Sequence, residues 1–369
     1  MTSPIAPRLP ADLDTPTLVI DLDIVERNAR RVAAATAAAG IRLRPHVKTH
    51  KSVALARLQM EHGATGIAVG TLGEAEVMAH GGLPDIFLAY PVWAAGPKAA
   101  RLRALAERPG LRFAVGADSV AGIAQLAAAM SGSPARLRLV IEVDPHYGRT
   151  GVAPDAVGDV ARAVERVGFE LVGLFSHGGH AYAGGDAIAA AAQDELEALS
   201  GGAAALRAAG IEAQSLSAGS SPTAMGVLAA PVTEVRPGTY LIGDRMQVEL
   251  GASPVDGVAI AIAATVVSTA VDGQVVINAG AKSLTKDMAP YITGYGWMPA
   301  YPQGVIERVS DYHGQVRFPA GAPRPELGET VAVIPNHACP TIDLYDSFAA
   351  TRSGSLVGRW PVDARGRSG

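Results

Sequence analysis

The stretch LRLVIEVDPHYGRTGV, residues 137–152, decides the reading of the fold. Its first half, Leu137–Asp144, is a nearly continuous apolar run, the pattern of a parallel strand buried on both faces. Its second half gathers Asp144, His146 and Arg149 around Gly148 and Gly151. Glycines at this point suit a tight loop approaching a ligand. The same grammar recurs upstream and downstream. Strands are expected at Ile41–Arg44, Gly66–Gly70, Asp85–Tyr90, Leu111–Gly116, Glu170–Ser176, Ser215–Ala218 and Glu234–Leu241. Alanine-rich helices are expected between them, at 72–81, 96–108, 118–130, 155–167 and 186–209. Eight strands alternating with helices predict a TIM (β/α)8 barrel over residues 22–245. An open doubly wound sheet is the alternative, weakened because no GxGxxG follows the first strand.

Outside the barrel the pattern changes. TPTLVIDLDIVERNARRVAAATAAAG (15–40) reads as a strand and then a helix, with Asp23 as N-cap and Gly40 as terminator. From residue 246 short strands separated by Gly, Pro and Asp turns predict a β-rich C-terminal domain to residue 369.

Composition excludes several classes. The chain has 369 residues, 49% of them hydrophobic and 18% charged, with a net charge of −4. That balance, without a basic stripe, argues against nucleic acid as a partner. One cysteine rules out an internal disulfide framework and fits a reducing cytoplasm, the expected location. MTSPIAPRLPADLDTPT (1–17) lacks the apolar core of a secretory signal, and the longest apolar runs are too short to span a bilayer. Five of the 31 basic residues are lysines (48, 51, 98, 282 and 286), so the other 26 are arginines and any amine nucleophile comes from a short list.

The expected strand ends carry the chemistry, because the carboxyl face of such a barrel is where sites are built. RLRPHVKTHK (42–51) brings Lys48 to the mouth, where an apolar surround could lower its pKa for Schiff-base formation; a solvated loop lysine is the plain alternative. LFSHGGHAYAGG (174–185) contributes His177, His180 and Tyr182, as a weak metal pattern or as a wall for an aromatic cofactor. SLSAGSSPTAMG (215–226) offers Gly219, Ser220, Ser221 and Thr223 as a phosphate cradle, and Tyr240 adds a hydroxyl. A lysine on the first barrel strand and a phosphate cradle after the seventh point to pyridoxal 5'-phosphate (PLP). PNHACPTIDLYD (335–346) holds the lone cysteine two positions after His337. A small buried cysteine is the ordinary reading. Two ligands suffice, however, for an open site completed by substrate and water.

Over nearly its whole length the chain resembles the fold-type III PLP enzymes, alanine racemase-like barrels followed by a β-domain. Within them it looks like the branch of eukaryotic-type D-serine dehydratase and D-threonine aldolase. The motifs are RPHVKTHK, GRTGV, AGSSPT, EVRPGTYLIGDRMQ, INAGAKSLTKD and PNHACPT. The resemblance implies Lys48 as the Schiff-base lysine, Arg149 near the cofactor's phenolic oxygen, and His337 with Cys339 as ligands of a divalent metal. His-x-Cys with SHGGHAY and GSSPT looks more like the dehydratase side, whereas the aldolases generally carry His-x-Asp. A thiolate favours zinc before manganese or magnesium. Asn278, where relatives often carry Asp, and the aromatic-rich DPHYGR depart from the pattern.

The resemblance implies a D-3-hydroxy amino acid substrate, β-elimination to a 2-oxo acid and ammonia, a homodimer, and an N-terminal strand, 14–21, that joins the β-domain. Retro-aldol cleavage to glycine and an aldehyde is the rival outcome. A racemase is a third, needing no metal but a second base for which Tyr291, Tyr295 and Tyr312 are available.

Overall fold

Apolar runs with β-branched residues form strands, and alanine-rich segments closed by glycine form the helices between them. In the computed structural model, which describes residues 7–369, sixteen strands result. The first six residues, part of the segment read as no signal, lie outside the described residues. β1 is Thr17–Asp21. The barrel strands are β2 (Arg42–Leu43), β3 (Ile67–Val69), β4 (Asp85–Pro91), β5 (Arg112–Ala117), β6 (Arg138–Glu142), β7 (Glu170–Phe175), β8 (Ser215–Ala218) and β9 (Glu234–Val235). The remainder are β10 (Ile260–Ser268), β11 (Gln274–Ile277), β12 (Val305–Val309), β13 (Gly314–Arg317), β14 (Thr330–Val333), β15 (Ser347–Arg352) and β16 (Ser355–Pro361).

The chain divides into two compact units. One comprises Val32–Lys48, Leu55–Gly238 and Gly366–Gly369; the other comprises the chain up to Arg31, Thr49–Ala54 and Thr239–Arg365.

In the first unit β2 to β9 lie in the order β2-β9-β8-β7-β6-β5-β4-β3, every pair parallel. A parallel bridge between His46 and Ala68 closes the ring, with Ala68 N–H donating to the Pro45 carbonyl at 2.8 Å and Thr65 N–H to the Leu43 carbonyl at 2.8 Å. Closure makes this a barrel and removes the open-sheet alternative. Phe87 and Phe175 meet edge to face at 5.1 Å inside it. Ala68, Ala89, Ala114 and Val140 leave room for the two rings. Charge closes the amino ends. Arg44 donates to Asp85 at 2.6 Å and to Glu234 at 2.9 Å.

Two expectations need correction. Asp23 is not the N-cap of helix Leu22–Ala38. Asp21 is, because its Oδ1 accepts the N–H groups of Asp23 and Ile24. The last barrel strand stops at Val235 rather than Leu241. Pro237 has no N–H to continue the ladder, and the chain turns into a 3-10 turn at Thr239–Leu241.

The second unit is a mixed sheet, in the order β12-β13-β11-β10-β1-β15-β16, with β14 also on β10. β1 lies antiparallel to β10 and parallel to β15.

Candidate active site

Lys48 sits on the 3-10 turn Val47–Thr49, just past β2. The His46 ring shapes that turn, since its Nδ1 accepts the Lys48 N–H at 3.3 Å. Lys48 Nζ donates to the Tyr90 hydroxyl at 3.1 Å, and Tyr90 stands near the carboxyl end of β4. Burial pushes the Tyr90 phenol up, but Lys48 and Arg149 outweigh it and hold its pKa below the ordinary value.

Arg149 reaches the same place from the loop after β6. Its guanidinium lies 5.0 Å from the centre of the Tyr90 ring and 5.7 Å from that of Tyr147. It also donates to Glu142 Oε1 at 3.3 Å. Burial raises the pKa of Glu142, and Thr150 and Arg149 offset part of that rise. Asp144 accepts the N–H groups of Tyr147 and Gly148, at 2.9 and 3.0 Å, so it builds the loop.

The Tyr147 ring packs on His177 and His180, both at 6.1 Å between centroids. A Cβ at position 179 would stand 2.3 Å from that ring, which explains the glycine in SHGGH. His180 Nε2 bonds to Asp194 at 2.9 Å. His177 has its pKa pushed well below 6.5, first by removal from water, then by Lys48, Arg149, Arg236 and His180. It is therefore a neutral ring. Tyr182 lies on the turn Gly179–Ala183, partly exposed.

After β8, Gly219 takes φ +79. Ser220 N–H donates to Thr223 Oγ1 at 2.9 Å, and the two hydroxyls lie 3.1 Å apart. Ser221 Oγ accepts the Gly238 N–H at 3.2 Å, which ties the loop after β9 to the loop after β8. Beneath them Arg236 is buried, its NH1 donating to Ser217 Oγ at 2.6 Å and its NH2 to the Ser176 carbonyl at 2.7 Å. Its guanidinium stacks 5.2 Å from the centre of Phe175.

The second unit holds the His337 and Cys339 motif. His337 Nδ1 bonds to Asp287 Oδ2 at 2.6 Å. Such a carboxylate orients a histidine so that its other nitrogen can bind a metal. Asp244 Oδ2 accepts the Ala338 N–H at 2.9 Å, and its Oδ1 accepts the Gln247 N–H at 2.8 Å as N-cap of helix Arg245–Glu249. One buried carboxylate thus pins the motif's backbone to the start of helix Arg245–Glu249. Burial opposes a charge on His337, but Cys339, Asp244 and Asp287 outweigh it and raise its pKa to about 10. Cys339 Sγ lies 3.3 Å from the hydroxyl of Thr49, the residue that follows Lys48 in the chain. Among the described residues no group of three or more His, Cys, Asp or Glu side chains is arranged to hold a metal. Tyr240 is buried on the turn Thr239–Leu241 of this unit.

Comparison with known proteins now has a geometry to meet. Residues 20–246 match the family described as alanine racemase, N-terminal domain, and residues 259–351 match the putative serine dehydratase domain. The D-threo-3-hydroxyaspartate dehydratase of Delftia sp. (strain HT23) is 33% identical, over 94% of this chain and 97% of its own. The chain belongs to the alanine racemase-like, fold-type III family of PLP enzymes. Within that family it is a lyase. The D-threonine aldolase of Arthrobacter sp is 31% identical, over 97% of this chain and 94% of its own. The crystal structure of D-threonine aldolase from Filomicrobium marinum matches with a TM-score of 0.88 and 31% identity, covering 99% of this chain and all of that one. Variants of a D-threo-3-hydroxyaspartate dehydratase at a histidine and at a cysteine two positions further on also match, with TM-scores of 0.87 and 0.85, and the cysteine variant is in a metal-free form. Metal binding is therefore a property of relatives.

Sequence reading had passed over Tyr90, Glu142, Glu195, Asp244 and Asp287. Glu142 leaves a trace in the sequence, as a charge inside an apolar strand. Tyr90 closes its strand as Asp144 closes the quoted one, a signal of the same kind. The others act from helices and loops that only folding brings near.

Proposed function

We propose that the chain is a PLP- and divalent-metal-dependent lyase of D-3-hydroxy amino acids whose outcome is β-elimination to a 2-oxo acid and ammonia. The cofactor fits the barrel unit on two counts. Lys48 Nζ is within hydrogen-bond reach of Tyr90 and near the Arg149 charge, and a cluster of hydroxyls, Ser220, Ser221 and Thr223, follows β8. When bound, PLP withdraws electrons from the substrate's α-carbon. The metal fits His337 and Cys339, whose nitrogen and sulfur donors suit zinc, and it would supply Lewis-acid assistance to a leaving hydroxide.

The chain's own groups do the rest. Lys48 holds the cofactor and, once freed, carries the α-proton on its Nζ. The Tyr90 hydroxyl keeps that nitrogen placed. Arg149 supplies a fixed positive charge backed by Glu142. Neutral His177 and Tyr182 wall the ring without adding charge. Ser220, Ser221, Thr223 and Tyr240 are the proposed phosphate donors, and two copies of the chain form the working dimer.

The observation that carries elimination over carbon–carbon cleavage is Cys339 two positions after an oriented histidine. The same spacing occurs in the dehydratase whose cysteine variant is metal-free. Identities of 33% to a dehydratase and 31% to an aldolase do not separate the two outcomes. The test is a product assay on D-serine, D-threonine and D-threo-3-hydroxyaspartate, with and without chelator. The expected products are the 2-oxo acid and ammonia, lost on chelation and restored by zinc. Glycine plus an aldehyde, with no oxo acid, would sink the dehydratase reading.

A further inference from the structure

Glu195 lies on helix Ala187–Ala208 and is fully buried. A carboxyl inside a helix among alanines and leucines is costly to bury unless it is engaged. Its Oε1 accepts the Gly219 N–H at 3.1 Å. Burial raises its pKa, and Thr223 and the N–H groups of Gly178 and Gly219 offset part of that rise. The backbone of Gly178 packs so close that a Cβ there would lie 3.2 Å from the Glu195 carboxyl carbon. A Cβ on Gly219 would meet Val227, Ala224 and Val235 at 3.0 to 3.2 Å, and its φ of +79 disfavours any side chain. One carboxyl therefore reaches two loops, the one after β7 beside His177 and the one after β8 beside Ser220.

This changes how the loop after β8 can hold an anion. The N–H of Gly219 is directed to Glu195, and that of Ser220 to Thr223 Oγ1. The grip on a phosphate monoester then falls to the hydroxyls and to the remaining backbone of the loop, whose position depends on the carboxyl behind it. An ionised carboxylate here would repel a phosphate. The buried Arg236 guanidinium, one of the charges acting on Glu195, offsets that repulsion.

We propose that Glu195 is a positioning residue: it fixes Gly219 and Thr223 in the register that grips the phosphate of the cofactor and ties that cradle to the His177 loop. The role rests on the proposed reading of this loop as the PLP phosphate site.

The test compares binding of PLP and of pyridoxal, which lacks the phosphate, to the cofactor-free protein. Wild type, Glu195→Gln, Glu195→Met and Glu195→Asp are titrated by fluorescence quenching, and the 31P shift of bound PLP is recorded. Gln keeps an acceptor for Gly219 and should stay within about threefold of wild type for PLP. Met removes the acceptor and Asp withdraws it, so each should weaken PLP by about tenfold or more, shift its 31P signal, and change pyridoxal by less than about twofold. If Met prevents folding, Asp carries the comparison. Variants that lose PLP and pyridoxal equally, or lose neither, from a wild type that prefers PLP overturn the role of Glu195 alone. A wild type that binds both alike overturns the cradle, and one that binds neither overturns the cofactor reading, each taking this role with it.

Discussion

Tyr90 and Lys48 share a hydrogen bond of 3.1 Å, with the Arg149 guanidinium 5.0 Å from the Tyr90 ring centre. A phenol held by two cations fixes the amine without sealing it. Tyr90→Phe should therefore leave the protein folded and still able to form the borohydride-trappable bond to PLP, but about ten to a hundredfold more slowly, the equivalent of one lost hydrogen bond to a charged group. An unchanged trapping rate would remove Tyr90 from the site. His177 makes a pH prediction. Its folded pKa lies below the unfolded value near 6.5. Below pH 6.5 the unfolded chain binds a proton that the folded one refuses, so this residue's contribution is present above 6.5 and lost as pH falls. Urea unfolding of the cofactor-free protein at pH 7.5 and 5.5 should show wild type losing about 1 kcal/mol more than His177→Gln. Equal losses would mean that the ring titrates normally. His337 has the opposite sign. With its pKa raised to about 10, it is protonated at neutral pH, and a metal must displace that proton. Zinc affinity, read by competition with a chromophoric chelator, should fall about tenfold or more per unit from pH 8.5 to 6.5. A flat profile would show that His337 is not held protonated in this pH range.

At the scale of elements, the barrel's amino ends are held by a buried ion network. Arg44 bridges Asp85, at the start of β4, and Glu234, at the start of β9, and only 11% of its side chain is exposed. Burial opposes the Asp85 charge, but Arg44 and Arg112 outweigh it and lower its pKa. Its contribution is thus present above the unfolded carboxyl pKa and lost as pH falls through the folded one. Arg44→Ala leaves Asp85 to Arg112 and Glu234 to Arg42 and Ser217, and the lost charged hydrogen bonds should cost about 1.5–3 kcal/mol in chemical unfolding. A loss under about 1 kcal/mol would show that water already solvates this end. The carboxyl ends contrast with it, because there the loops carry glycines and aromatic rings, and the Arg149–Glu142 pair is looser, at 3.3 Å. Gly179 lets the Tyr147 ring lie on the loop that bears His177. Stability and chemistry occupy opposite ends of the same strands, as the geometry of such barrels favours.

At the scale of the molecule, the family, the lyase class and the barrel with its β-domain stand on agreement of sequence, topology and relatives. No helix among the described residues is long and apolar enough to cross a membrane. The proposed dimer predicts a sedimentation mass twice the 37.7 kDa of the chain, and a monomer at micromolar concentration would refute it.

What the sequence by itself determined is periodic or local. Nearly continuous apolar runs marked most of the eight barrel strands, because a strand buried on both faces tolerates little else. Motif spacing singled out Lys48, the hydroxyls after β8 and the His337 and Cys339 pair as candidates, because each sits within a few residues of a strand end or turn. Asp21 rather than Asp23 as the cap, and the stop at Val235, were local too, but hung on which side chain reached an N–H and on one missing donor at Pro237. Only the tertiary structure decided the rest. Closure needed His46 to meet Ala68 across 22 residues of chain. Tyr90 on Lys48, Glu142 on Arg149, Glu195 under Gly219 and Asp287 on His337 are hydrogen bonds between groups from 7 to 50 residues apart. A hydrogen bond depends on distances of a few tenths of an ångström, and those are set by packing, which no periodicity in the sequence encodes.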